Sequence, residues 1–280
     1  MSVVIAYRDH DLVAAVLAQL AAQTRPPRSV VVADNGGTLT EADLADMPLA
    51  DRAVLVPLPD NPGYGAAVNS ARAETGDGEP LLVLTHDARF GEGLADRLLE
   101  ELSSDERVGA AAPLLRVSSR PDRVFSAGGR LSGGGRATHL RKPLSASAYA
   151  VDWVDGAIVM YSRPALDDIG WLSEAYFLYF EDVDTSWRLR RAGWRTMLVP
   201  DAVAYQEPGG HPTYLGIRNM TLFARAIGIP PVRHLGAVAF RVAEESAAAI
   251  LRGSWPPLAS AWRGWRDGSA GCSGKPGAPG

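Results

Sequence analysis

Between Tyr176 and Gly193 the chain reads YFLYFEDVDTSWRLRRAG, which sets three carboxylates, Glu181, Asp182 and Asp184, at the start of a helix-like stretch directly behind an aromatic run. Carboxylates in a first helical turn gain about 0.3–1 kcal/mol each from the helix dipole, so capping is the plain structural explanation. A cap needs one carboxylate. Three, next to rings on which a sugar can stack, point to general-base chemistry. Asp34, in VVVADNGG, ends an apolar run where a carboxylate can accept a hydrogen bond from a pyrimidine N–H, although Asp-Asn-Gly is also an ordinary turn. Asn61 to Gly65 leads into Ala66 to Asn69 at a loop-to-helix junction, where small residues admit close backbone approach and a helix N-terminus favours phosphate; a plain helix start reads the same way. Thr85, His86 and Asp87 bring two metal-capable side chains to the end of an apolar run, which suits a divalent cation bound to a diphosphate.

The elements that must position these groups are legible as alternating patterns. Ser2–Tyr7, Ser29–Ala33, Ala53–Leu58 and Leu81–Thr85 are short β-branched or apolar runs ending in polar clusters, with helical spacing after the first at Leu12, Val16 and Leu20 and a helix over Ala66–Glu74 after the third. Strands apolar on both faces, alternating with helices, predict an α/β, Rossmann-like, mostly parallel sheet covered on both sides, with ligands at the carboxyl ends of its strands. Further on, Ala157–Tyr161 and Arg195–Val199 read as strands, Arg163–Ile169 and Asp182–Ala192 as helices. Pro113–Ala150, rich in Ser, Gly and Arg, reads as irregular strands with a mobile loop at Gly133, Gly134 and Gly135, equally an ordinary connection or a functional flap.

At 280 residues and 46% hydrophobic the chain has ample core, and its net charge of −4 removes the global electrostatic argument for a nucleic-acid partner. The single Cys272 offers no internal disulfide, the first residues lack a basic signal-peptide region, and the longest uncharged stretch, Leu12–Thr24, is too short to cross a bilayer. A cytoplasmic protein, at most peripheral at the inner membrane surface, is expected. From Arg218 onward eight basic residues face three acidic ones, and amphipathic helices interleave Phe240, Trp255, Trp262 and Trp265 with Arg241, Arg252, Arg263 and Arg266. That pattern suits packing on the catalytic domain, a homodimer through the C-terminal helices, or an anionic membrane interface.

Taken in order, DNGG at Asp34, NPGYGAAVN at Asn61–Asn69, the triplet ending in Asp87, VDWVDGA at Val151–Ala157 and YFEDVDTSWRLRRAGW at Tyr179–Trp194 resemble the family 2 inverting nucleotide-sugar glycosyltransferases, rhamnosyltransferase-like members especially. The resemblance implies a GT-A fold with added C-terminal helices: residues 1–226 as the nucleotide-sugar-binding and catalytic domain, 227–267 as a helical extension and 268–280 as a disordered tail. It implies transfer of a sugar from a nucleoside diphosphate sugar donor to an acceptor hydroxyl of a glycan, a lipid-linked sugar or a natural product, with Mg2+ or Mn2+ as cofactor. Asp182 becomes the catalytic base. Tyr7, Asp34, Asn61, Gly63, Asn69 and His86 become donor-binding residues, with Trp153, Asp155, Gly156 and Glu181 at the sugar or acceptor pocket. Asp87 and His211 become metal ligands. The chain departs from the family pattern at Thr85, where a first aspartate is common, and at Ala204–Gln206, where relatives carry a histidine. Those departures leave one alternative of another class, a sugar-nucleotide-binding protein with weakened turnover.

Overall fold

Each of the four early apolar runs becomes a strand; three are buried, and Ala53–Pro57 is an edge strand left partly exposed. The computed structural model describes residues 1–76 and 78–277. Its strands are β1 (Ser2–Ala6), β2 (Val30–Asp34), β3 (Ala53–Pro57), β4 (Leu81–Thr85), β5 (Arg89–Phe90), β6 (Val108–Val117), β7 (Arg120–Ser126), β8 (Gly129–Leu131), β9 (Ala137–His139), β10 (Tyr149–Ala150), β11 (Ile158–Tyr161) and β12 (Arg195–Gln206). Its helices are α1 (His10–Ala21), α2 (Glu41–Ala45), α3 (Tyr64–Ser70), α4 (Leu94–Ser103), α5 (Arg163–Asp168), α6 (Glu181–Arg191), α7 (Thr213–Ala226), α8 (Pro231–Leu251) and α9 (Leu258–Ala270). The main sheet runs in the order β10-β12-β6-β11-β4-β1-β2-β3, with β5 added to β12 and β7 to β6. β3, β2, β1 and β4 are mutually parallel, and β12 is parallel to β6; β11 lies antiparallel between β4 and β6.

Every residue of β1 and β2 is buried, as a central parallel strand requires. Helix α1 starts where Asp9 accepts a hydrogen bond from the Leu12 amide at 3.1 Å, and it buries Val13, Val16, Leu17 and Leu20 along one face. Two apolar clusters fill the opposite faces of the sheet, and a third, built on Trp153, Tyr176, Phe180, Ile217, Phe223 and Val238, joins the segment before α6 to the C-terminal helices.

Three expectations change. The helix predicted over Ala66–Glu74 runs from Tyr64 to Ser70, because its entry is set by contacts of Tyr64 rather than by the Ala run. The glycine loop at 133–135 is docked: the His234 ring lies 3.0 Å from the Gly134 carbonyl and 3.1 Å from the Thr221 hydroxyl. The tail expected to be disordered from residue 268 is helical to Ala270, and the Gly274 amide then donates to Ala175 O at 2.6 Å. Residues 278–280 of that tail lie outside the described residues.

The helices beyond residue 226 pack directly on the element that precedes it. Helix α9 lies on α7 through Gly264 and Gly268, where a Cβ would stand 2.5 Å from Tyr214 O and 2.6 Å from Arg218 O respectively. Only a residue without a side chain permits that approach. Gly264→Val should therefore destabilise the fold by about 1–3 kcal/mol through overpacking, whereas Gly236→Ala, in open space on α8, should stabilise it by up to about 1 kcal/mol through helix propensity; urea denaturation of the two variants checks both signs.

Candidate functional site

The carboxyl ends of β1, β2 and β4 open into a cleft of about 860 Å3, lined on this side by Tyr7, Asn35, Asn61, Gly63, His86 and Asp87. His86 is oriented by its Nδ1, 3.2 Å from Ile5 O, which leaves Nε2 as its second hydrogen-bonding atom. Gly63 has φ +106°, and a Cβ there would lie 2.2 Å from Phe177 O, so the loop and the opposite wall meet backbone to backbone, with the Tyr64 amide donating to Phe177 O at 2.8 Å. Asp34 and Asn69, both assigned to the donor, do not reach the cleft. The Asp34 carboxylate is buried and accepts from the amides of Gly36 (2.9 Å), Thr38 (2.6 Å) and Leu39 (2.8 Å), so it holds the turn. Asn69 clamps the facing loop through Leu172, accepting from its amide at 3.1 Å and donating to its carbonyl at 3.0 Å. The residue after Asp34 takes its place: Asn35 lines the cleft and its buried Oδ1 has no partner among the described residues. Alternation of side chains along an extended segment is the signal that distinguishes the two.

The other wall is the segment around Trp153, Asp155 and Gly156, the turn before α6, and the first turn of α6. Phe177, Tyr179 and Phe180 have φ of +66°, +70° and +78°, a left-handed run that non-glycine residues rarely adopt. It persists because α7 grips it: the Asn219 amide donates to the carbonyls of Tyr176, Leu178 and Tyr179 at 2.8–3.0 Å, and the buried Arg218 donates to Tyr176 O at 2.8 Å. The turn throws Glu181 and Asp182 toward the cleft. Asp184 faces the other way, accepting from Tyr176 Oη at 3.2 Å and pairing with Arg188 at 2.6 Å, so the third carboxylate of the motif is structural.

Among the described residues no cationic side chain pairs with the first two. Burial, followed by the charge of Asp155, pushes Asp182 up to about 7; burial and the adjacent Asp182 push Glu181 higher still. Asp182 Oδ1 accepts from the Val183 amide at 2.8 Å, while Oδ2 is held only by a long 3.4 Å contact from the Gly156 amide. Glu181 Oε2 is buried without a partner among the described residues. Asp155 is also raised by burial, its Oδ2 lying 3.9 Å from His139 Nε2. That contact is not an ion pair, because burial and then Arg141 hold His139 down at about 3, neutral at any physiological pH. His139 packs between Phe125 and Trp153 at ring distances of 5.0 and 4.7 Å. It lines the cleft unannounced by any motif, as do Arg136 on the β8–β9 loop and Arg241 on α8, because only the fold brings them there.

His211 lies on the loop after β12 and stacks on Tyr179 at 4.1 Å; burial and then Arg241 hold its proton affinity below that of a free imidazole, an effect that Asp155 only partly offsets. Asp87, Asp155 and His211 line the same cleft, and the charge of Asp155 is felt at His211 as that of Asp87 is at Asp155. Among the described residues no three acidic, histidine or cysteine side chains are gathered closely enough to hold an ion. The donor chemistry fits a hard divalent cation shared with a diphosphate, not one held by protein alone. Thr85 adds no ligand: its hydroxyl leans 3.5 Å toward Ala157 O.

Because Glu181 protonates more readily in the folded chain than in the unfolded one, its contribution to stability is full below an ordinary carboxylate's range and is lost as pH rises through its raised folded value. Glu181→Gln should raise the melting temperature at pH 8 and leave it nearly unchanged at pH 4, measured by differential scanning calorimetry.

Comparison with known proteins identifies the family and the fold. The family model described as "Glycosyltransferase like family 2" matches residues 1–226. An N-acetylglucosaminyl-diphospho-decaprenol L-rhamnosyltransferase of Mycobacterium tuberculosis is 33% identical over 216 residues, covering 66% of this chain and 68% of its own length. Among solved structures, GalNAc-T7 with UDP, GalNAc and Mn2+ superposes with TM-score 0.66 at 12% identity, over 80% of this chain and 47% of the GalNAc-T7 chain, so this chain spans less than half of that protein. The mannosyltransferase PcManGT of Pyrobaculum calidifontis, solved with GDP-Man and Mn2+, gives 0.56 at 18% identity over 97% of this chain and 84% of its own. Both likenesses are of fold, and both of those proteins were solved with Mn2+. The clustering of strand-end polar groups opposite an E-D pair in a parallel sheet of this order thus has a family: the chain belongs to the family 2 glycosyltransferases, has their GT-A fold, and is similar to the rhamnosyltransferases among them.

Proposed function

We propose that the protein is an inverting glycosyltransferase that moves a deoxyhexose of the rhamnose type from a nucleoside diphosphate to a hydroxyl of a lipid-linked sugar, working peripherally at a membrane face. The observation that carries the chemistry is Asp182, a carboxylate of raised proton affinity with a loosely held Oδ2 in the cleft wall, facing the strand ends across the cleft. The 33% identity to an enzyme whose acceptor is a diphospho-decaprenol-linked sugar supports the donor and acceptor classes. Among the described residues no helix is long and apolar enough to cross a membrane, so on this reading the lipid comes to the protein's surface.

In this mechanism Tyr7, Asn35, Asn61 and His86 hold the nucleotide and its phosphates, with the backbone at Gly63 allowing close approach. Trp153, His139 and Asp155 line the sugar. Asp182 Oδ2 takes the proton of the acceptor hydroxyl as that oxygen bonds to the anomeric carbon, and the carbon–oxygen bond to the diphosphate breaks on the opposite face with its electron pair leaving on the diphosphate. A base with raised affinity is suited to hold that proton near neutral pH. Asp87, with His211, would hold a divalent cation, which supplies positive charge against the departing diphosphate when bound.

Asp182→Asn should lower transfer by about 10²–10⁴-fold, the usual worth of a general base, while nucleoside diphosphate binding measured by calorimetry stays near wild type. The wild-type kcat should fall on the acid side through a limb near 7, set by protonation of Asp182. Asp184→Asn should instead cost stability, on the order of 3 kcal/mol, by leaving Arg188 unpaired. Near wild-type turnover in Asp182→Asn would sink the mechanism. For the cation, Asp87→Ala should abolish the gain in nucleoside diphosphate affinity that Mn2+ gives the wild type, and Mn2+ without nucleotide should bind weakly to both, as titration calorimetry can read.

A further inference from the structure

The corner where α8 meets α9 leaves a group of large apolar side chains in solvent. Leu251 is 89% exposed and Trp255 is 94% exposed, and Ile250, Leu258 and Trp262 are also exposed around the same turn. Apolar surface of this kind is worth about 25 cal/mol per Å2 when removed from water, and α9 has already spent its buried face, Ala261, Gly264 and Gly268, on α7. From Ser246 to Arg266 the chain carries three arginines and no acidic residue. Arg266 pairs with Asp267 at 2.7 Å, whereas Arg252 and Arg263, both exposed, have no carboxylate partner among the described residues, Arg263 resting its guanidinium over the Tyr214 ring at 5.5 Å.

Tryptophan and leucine at the tip with arginine around them fit an anionic bilayer interface, where indole rings sit at headgroup depth and guanidinium groups meet lipid phosphate. A second copy of the chain fits less well: a two-fold interface sets the same patch against itself, so Arg252 and Arg263 of both copies would converge with no acidic residue between them. We infer that the α8–α9 corner is a docking surface for anionic membranes, seated by Leu251 and Trp255 and held by Arg252 and Arg263. Helix α8 also carries Arg241, Glu244 and Glu245 in the cleft wall, and Glu245 precedes Leu251 by about 9 Å of helix. Docking at the corner therefore holds the acceptor side of the cleft close to lipid headgroups, a consequence that rests on the lipid-linked acceptor proposed above.

The test is flotation of the full chain with vesicles of phosphatidylcholine alone and of phosphatidylcholine with one-third phosphatidylglycerol, in the absence of donor and acceptor. The wild type should bind the anionic vesicles, weakly bind the neutral ones, and lose binding with added salt. Leu251→Ser with Trp255→Ser should weaken binding at least about tenfold, and Arg252→Gln with Arg263→Gln by about fivefold for each arginine while flattening the salt dependence. All four positions are exposed, and unchanged melting temperatures should confirm intact folds. Absence of wild-type binding, equal binding by both variants, or a stable dimer that Trp255→Ser converts to monomer would each overturn the proposal. Transfer to a water-soluble short-chain acceptor, expected to be unchanged in both variants, tests the glycosyltransferase reading separately.

Discussion

One side-chain amide holds the catalytic wall in shape. Asn219 donates to three successive-turn carbonyls, those of Tyr176, Leu178 and Tyr179, and this pins a backbone that would otherwise relax away from its left-handed angles. Arg218 beside it is buried, with no carboxylate partner among the described residues; its charge is met by Tyr176 O, Asn219 Oδ1 and the face of Tyr214. An isolated buried cation is costly unless such dipoles surround it, so the pair and the turn stabilise one another. Everything downstream of the turn, including the direction in which Glu181 and Asp182 leave α6, follows from that grip.

The same wall sorts three adjacent carboxylates by partner. Asp184 has Arg188 and Tyr176 and behaves as part of the framework; Glu181 and Asp182 have only each other, Asp155 and a few amides. Burial, and then the charge of the neighbouring carboxylates, raises their proton affinity, and the penalty falls on stability. On the opposite side of the cleft the groups are oriented through backbone contacts, His86 on Ile5 O and the Asn61–Gly63 loop against Phe177, so one side is tuned electrostatically and the other geometrically.

Much of this was legible in the residues. The parallel strands showed as runs without a polar face, and the polar clusters at their ends marked the cleft. The acidic motif exceeds what capping needs, yet its spacing alone does not say which carboxylate is structural, since Arg188 stands one turn from Asp184 in any helix. Asp34 and Asn69 stand in the motifs that point to a nucleotide-sugar donor, but their short side chains are consumed by neighbouring amides and carbonyls, which local sequence does not reveal. His139 and Arg136 come from a stretch with no periodicity; their place in the cleft depends on β8 and β9 folding back toward α8, a long-range outcome. The docked glycine loop was unreadable for the same reason, as its anchor, His234, is a hundred residues away.

The contact of α9 with α7 bears on how this chain could have been assembled in evolution. The family match ends at Ala226, within the last turn of α7, while the glycines that let α9 lie against that helix belong to the segment beyond it. Removing 227–277 would therefore bare the back of α7, the helix whose opposite side carries Asn219. Any relative that shares the module but not this C-terminal pair has to cover the same helix with something else. The segment outside the family boundary thus acts as a wedge behind the cleft wall, and Gly264 and Gly268 set how closely that wedge can sit.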